Sequence, residues 1–222
     1  MNTIFHIAVH NFGGLKNNPY ASTQHLSEAQ LENAHRNNWP DFPSKLNGSH
    51  IGYPLVIFPQ YYKQFRYIGE EAAHIKGRNV DTIGICLAGN FNKRPNGTSV
   101  DYPTKYQTET LRLLLGILLE KKYKDYGIRV LPDTDLSLSI GRLWPHRTYQ
   151  PAGYTECYGN LLDDNWAREL MVQYYAHKTS INQQLIRAYA SLVEWLSRPA
   201  QVLGGGGREC PGMLELEEDI IN

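Results

Sequence analysis

One stretch constrains this chain more than any other. Leu111, Leu114, Leu115 and Leu118 recur at i, i+3, i+4 and i+7 behind a Thr104-x-x-Gln107 capping box. The spacing predicts an amphipathic helix. Lys121, Lys122 and Lys124 follow where a helix dipole favours cations, and Gly127 fits the C-terminal cap. A helix with one apolar stripe has to cover another layer. The apolar hexapeptide TIGICL, residues 82–87, reads as a buried strand that supplies one. Further strands are expected at residues 4–9, 51–58 and 65–69, with Pro54 marking an edge or bulge. A polar helix over residues 27–37 opens with Ser27-x-x-Gln30, residues 163–177 read as another helix, and Ser180-x-x-Gln183 opens a last one that Pro199 stops. Residues 132–144 read as loop. The expected fold class is α/β: a central mixed β-sheet flanked by helices, with a C-terminal helical extension.

Composition removes several classes of function. The chain has 222 residues, 22 Lys+Arg against 22 Asp+Glu, and 41% hydrophobic residues. That is enough apolar material for one full core. Zero net charge gives no support to a nucleic-acid partner. No apolar run approaches the ~20 residues that span a bilayer, so no membrane span is expected. The first residues, MNTIFHIAVHNFGG, lack a basic stretch and a small-residue cleavage site, so no secretory signal is expected. The neutral total is uneven. Residues 199–222 hold one Arg and five acids behind Gly204 to Gly207, which leaves 21 basic and 17 acidic residues in 1–198. The boundaries expected are 1–178 for the main domain, 179–198 for a C-terminal helix and 199–222 for a Gly-rich, acidic tail.

Three cysteines exclude a disulfide framework and leave metal binding, catalysis or packing. Cys86 sits in the apolar strand and reads as a core residue. The chain contains no HExxH and no CxxC, so a metal site needs ligands from distant segments. His10 ends the first strand. His146 follows Pro145, and Cys157 lies eleven residues further on in a turn-rich stretch. Spacing alone leaves open whether these are ligands or ordinary packing residues. Asn47-Gly-Ser and Asn96-Gly-Thr match the glycosylation pattern but read as turns.

Five segments in order carry a resemblance. They are IAVHNFGG; HRNNWP followed by IGYPLVI; AAHIKGRNVDTIGICLAGNF; TKYQTETLRLLLGILLEKKYKDYGI; and WPHRTYQPAGYTECYGNLL. Over residues 1–175 the chain resembles the type 2 zinc-dependent N-acetylmuramoyl-L-alanine amidases, a fold shared with peptidoglycan recognition proteins and many phage lysins. The resemblance implies a Zn2+ cofactor held by His10, His146 and Cys157. It implies catalytic roles for Tyr53 and Thr155, and a place for His74 in the groove as a substrate contact. The implied substrate is peptidoglycan or a muropeptide, cut at the amide between N-acetylmuramic acid and L-alanine of the stem peptide. The alternative implied by the same fold is a peptidoglycan-binding protein without catalysis. Two departures stand out. Gly52-Tyr53-Pro54 replaces the family's Gly-Tyr-His, and Cys157-Tyr158-Gly159 replaces its Cys-Pro-Gly. Cys210, in a Cys-Pro-Gly of the tail, has no histidine suitably upstream. Action on the cell wall after release or secretion, or cytoplasmic muropeptide recycling, are the settings implied.

Overall fold

In chain order the elements are β1 (Thr3–Ile4), β2 (His6–Asn11), α1 (Glu28–Asn38), β3 (Leu55–Ile57), β4 (Tyr62–Gln64), β5 (Thr82–Leu87), α2 (Lys105–Leu119), β6 (Arg129–Val130), β7 (Leu143–Pro145) and α3 (Trp166–Ser197), with a 3-10 turn at His146–Tyr149. They come from a computed structural model that describes residues 3–4, 6–119, 129–130 and 143–197. The chain divides into two compact units, Met1–Tyr175 and Ala176–Asn222. Lys121, Lys122, Lys124, Gly127, residues 132–142 and Cys210 lie outside the described residues.

A five-stranded sheet in the order β4-β3-β5-β2-β7 forms the first unit, and β1 pairs separately with β6. Only the β3–β4 pair is antiparallel, so the sheet is mixed, as the sequence predicts. The central strands β2 and β5 are buried on both faces, which is why TIGICL is continuously apolar.

Register sorts the side chains. Ile7, Val9, Ile83, Ile85, Leu55 and Ile57 share one face, where they pack with Leu111, Leu114, Leu115 and Leu118 of α2 and with Ala167, Leu170 and Met171 of α3. Ala8, His10, Gly84, Cys86 and Val56 share the other face. A smaller cluster there joins Val56 and Cys86 to Leu31 of α1, Ile51, Phe58 and Phe65. Cys86 is fully buried, in keeping with its expected core role.

Several boundaries differ from the sequence expectation. The strand expected over 51–58 shrinks to Leu55–Ile57. Gly52 donates to His35 Nδ1 (2.7 Å) and accepts from Ala73, and Pro54 has no N–H. The fourth strand is Tyr62–Gln64 rather than 65–69. Phe65 and Arg66 both donate to the Pro54 carbonyl, and the buried Arg66 guanidinium then gathers the carbonyls of Ile51, Phe42 and Glu71 with Glu70. Leu143–Pro145, expected as loop, is the β7 edge strand, held by pairing with Ile7–Val9. The two helices expected after residue 163 are one, Trp166–Ser197. Lys178 and Thr179 are ordinary helix residues, so the capping signal at Ser180 does not interrupt it. Gly48 and Gly97 sit at positive φ in turns where Asn47 and Asn96 accept from Ser49 and Thr98.

Candidate metal centre

The parallel strands bring the three expected ligands to one place. His10 is the fifth residue of β2 and lies on the face away from α2. β7 runs parallel to β2 with Val9 opposite Pro145, so the next residue, His146, falls beside His10. Their ring centroids are 4.6 Å apart. Cys157 returns to the pair because Arg147 clasps its loop. The Arg147 guanidinium donates to Gly159 O (2.6 Å), Leu162 O (2.9 Å) and Asp164 (2.8 Å), and the Arg147 N–H donates to Cys157 O (2.8 Å). One donor atom each from His10, His146 and Cys157 lies within 4.8 Å of the others. The Cys157 thiol sits 3.6 Å from His10 Nδ1 and 3.4 Å from the N–H of Asn11.

These residues fit a zinc ion. His146 Nε2 is buried and has no hydrogen-bond partner, which a protein rarely tolerates unless that lone pair has another use. Two imidazoles and one thiolate, with a fourth position left open, suit zinc over harder cations. Burial, and then the neighbouring His74 and His146, hold His10 well below the ordinary imidazole range. Burial lowers His146 to about 4. Both rings are therefore neutral at pH 7 and present lone pairs. Burial pushes the Cys157 thiol up to about 12, against the Asn11 N–H and the Arg147 charge. The metal-free thiol keeps its proton, and metal uptake must displace it.

Beside the three donors runs a groove of about 340 Å³. His146, Cys157, Tyr53 and Thr155 all line it, so four of the six expected site residues meet there. The Tyr53 ring is 5.1 Å from that of His10. Burial, followed by the Cys86 and Cys157 thiols, raises the Tyr53 hydroxyl well above its ordinary value. Tyr53 is therefore a hydrogen-bond donor rather than a base. His10 is buried directly behind the groove.

His74 is placed differently from the sequence expectation. It is buried and absent from the groove lining. Its Nδ1 lies 3.1 Å from His10 Nε2, so it touches the candidate ligand and not the groove. The two departures from the motif pattern are absorbed by packing. Tyr158 is fully buried in the main core and donates to Asp163 O, and the Pro54 carbonyl anchors the Phe65 turn. Phe12 and Glu156 also line the groove and were not singled out from sequence. Each neighbours a motif residue, which is the only sequence signal they carry.

No family model and no curated protein matches the sequence. Solved structures do match it as folds. The N-acetylmuramoyl-L-alanine amidase LysC from Clostridium intestinale URNW superposes with a TM-score of 0.50 at 20% identity, over 77% of this chain and 84% of that one. The endolysine N-acetylmuramoyl-L-alanine amidase LysCS from the same organism gives 0.46 at 22% identity, over 71% and 76%. Drosophila peptidoglycan recognition protein SA gives 0.47 at 18% identity, over 73% and 76%. The likeness is one of architecture: at a TM-score of 0.50 the chain has the fold of a solved N-acetylmuramoyl-L-alanine amidase, the fold that its five sequence segments imply.

Proposed function

We propose that this protein is a zinc-dependent N-acetylmuramoyl-L-alanine amidase acting on peptidoglycan or its soluble fragments. The observation that carries the reading is the convergence of His10, from β2, with His146 and Cys157, from the loop after β7, at the edge of a groove that also holds Tyr53 and Thr155. His10, His146 and Cys157 would hold the ion. When bound, zinc would polarise the scissile carbonyl and acidify a water at neutral pH. The chain's own groups supply the rest. The Tyr53 hydroxyl, kept protonated by burial, donates a hydrogen bond to oxygen charge that develops at the scissile carbonyl. Thr155 offers a neutral hydroxyl at the same wall and orients substrate, without the added charge a lysine would bring. Phe12 gives the groove an apolar side against which a stem peptide can lie.

Among the described residues no helix is long and apolar enough to cross a membrane. On the proposed reading a wall substrate is met after release or secretion, and soluble muropeptides in the cytoplasm. On this reading the chemistry lies within residues 1–178. The decisive experiment incubates zinc-loaded protein with purified peptidoglycan and identifies the products by mass. Stem peptides with a free L-alanine amine are expected. Products cut only between sugars, or only between stem residues, sink the proposal, and tight wall binding without new amines assigns the alternative binding role.

A further inference from the structure

The structure assigns His74 as a positioning residue: through a hydrogen-bonded relay from the Thr82 carbonyl, it fixes the tautomer and ring orientation with which His10 faces the metal site. The inference rests on the metal-centre reading above and names the device that prepares its most buried ligand.

The relay follows from bonding rules once its ends are known. The Thr82 carbonyl lies 3.1 Å from His74 Nε2 and can only accept, so Nε2 carries the His74 proton. A neutral imidazole has one ring proton, and His74 Nδ1 is then a lone pair. That lone pair lies 3.1 Å from His10 Nε2, which must donate to it. A neutral His10 ring that donates from Nε2 has no second ring proton, so its Nδ1 is a lone pair. This is the nitrogen 3.6 Å from Cys157 Sγ, on the metal side of the ring. The proton pattern is thus fixed before any ion arrives, and the carbonyl–His74–His10 order is the outer-partner arrangement that orients metal-bound histidines.

Two further restraints hold His74 independently of His10. Asn79 Oδ1 accepts from the His74 N–H (2.9 Å) and the Ile75 N–H (2.8 Å), which fixes the loop that carries the ring. The ring lies flat on β5 at Gly84, where an added Cβ would meet His74 Cγ, Cδ2 and Nδ1 at 2.8–2.9 Å. Gly84 pairs in register with Ala8, another small residue on the same face of the sheet. The ring edge meets that of His10 at 88°, with centroids 5.0 Å apart, which directs the N–H of one at the lone pair of the other. A side chain held on every side, outside the groove and in contact with a candidate ligand, has positioning as its chemistry.

The test uses the full chain, first without metal. Nitrogen-15 NMR is expected to show His10 protonated at Nε2 only, with a scalar coupling across the hydrogen bond to His74 Nδ1. His10 protonated at Nδ1, or no coupling to His74 in the wild-type chain, overturns the proposal whatever the variants do. Zinc affinity is then measured by chelator competition. His74→Leu is expected to weaken it ~10–100-fold, and His74→Asn, whose Oδ1 can still accept from His10, to recover part of that loss. Unchanged affinity in a folded His74→Leu protein overturns the proposal too. These readouts need no peptidoglycan, so the relay can stand if the amidase reading falls.

Discussion

At the scale of single residues, the site separates ligands from donors. On the proposed reading Cys157 is the soft ligand, and the Asn11 N–H points at its sulfur from 3.4 Å. Cys157→Ser replaces a thiolate with a poor zinc donor. Zinc retention through gel filtration should be lost, well beyond the ~10–100-fold effect of an outer partner. A protein that keeps stoichiometric zinc would refute the ligand assignment. Tyr53 makes a different prediction. Its hydroxyl stays protonated and its residue lines the groove, so on the proposed reading Tyr53→Phe should leave zinc content unchanged and lower kcat ~100-fold, the order of one lost oxyanion donor. A rise in KM at constant kcat would make Tyr53 a binding residue instead.

At the scale of elements, the loop from His146 to Asp164 does the work that spacing alone leaves undecided. Ten residues lie between His146 and Cys157, and one guanidinium closes the gap by holding Gly159 O, Leu162 O and Asp164 together. Arg147→Lys keeps the charge but not the planar fork. It should loosen the loop and weaken zinc binding about tenfold by chelator competition, with little change in the far-UV spectrum. Unaltered affinity would show that the loop holds Cys157 without the clasp. Helix α1 offers an independent check on local signals. Ser27 and Gln30 form the reciprocal capping box expected from sequence, with Gln30 N donating to Ser27 Oγ and Ser27 N donating to Gln30 Oε1. Ser27→Ala should cost about 1 kcal/mol in urea denaturation and leave zinc affinity intact. A drop in affinity would mean that α1 is coupled to the site through His35 and Tyr53, whose rings are 5.4 Å apart.

At the scale of the whole molecule, buried neutral histidines set the pH response. Burial lowers His35 to about 4 and His74 to about 3 in the folded chain, against 6.5 when unfolded. Below pH 6.5 the unfolded chain takes up protons that the folded chain refuses. Stability is therefore full above about pH 6.5 and declines down to about pH 4 for His35 and about pH 3 for His74. Glu32 adds a later stage. Burial alone would raise its carboxyl, but hydrogen bonds from Ser49, the His50 backbone and Arg36 hold it at about 2. Its contribution is present above about pH 4.5 and disappears as pH falls through about 2. Urea midpoints of the metal-free protein should fall steadily from pH 7 to 3, with a shallower slope between 6.5 and 4 in His35→Asn. A flat profile between pH 7 and 4 would contradict the buried, neutral state of these rings.

The sequence by itself determined the layers and most of the site. The leucine stripe of α2 and the apolar β5 were legible because each repeats one physical instruction along a short stretch. The motif order named His10, His146, Cys157, Tyr53 and Thr155, all of which the fold gathers at one groove or directly behind it. Tertiary structure alone decided the rest. β7 has three residues and no pattern of its own, and it exists because β2 offers it an edge. The boundary of β3 depends on Gly52 bonding to His35 and Ala73 instead of to a neighbouring strand. His74 carries the same motif signal whether it lines a groove or lies beneath it. Its place was set by Gly84, Asn79 and the Thr82 carbonyl, which converge on the ring only once β5 is seated beside β2. Local patterns report what a residue does for its own segment, whereas tautomers and metal sites depend on atoms that become neighbours only after the sheet has formed.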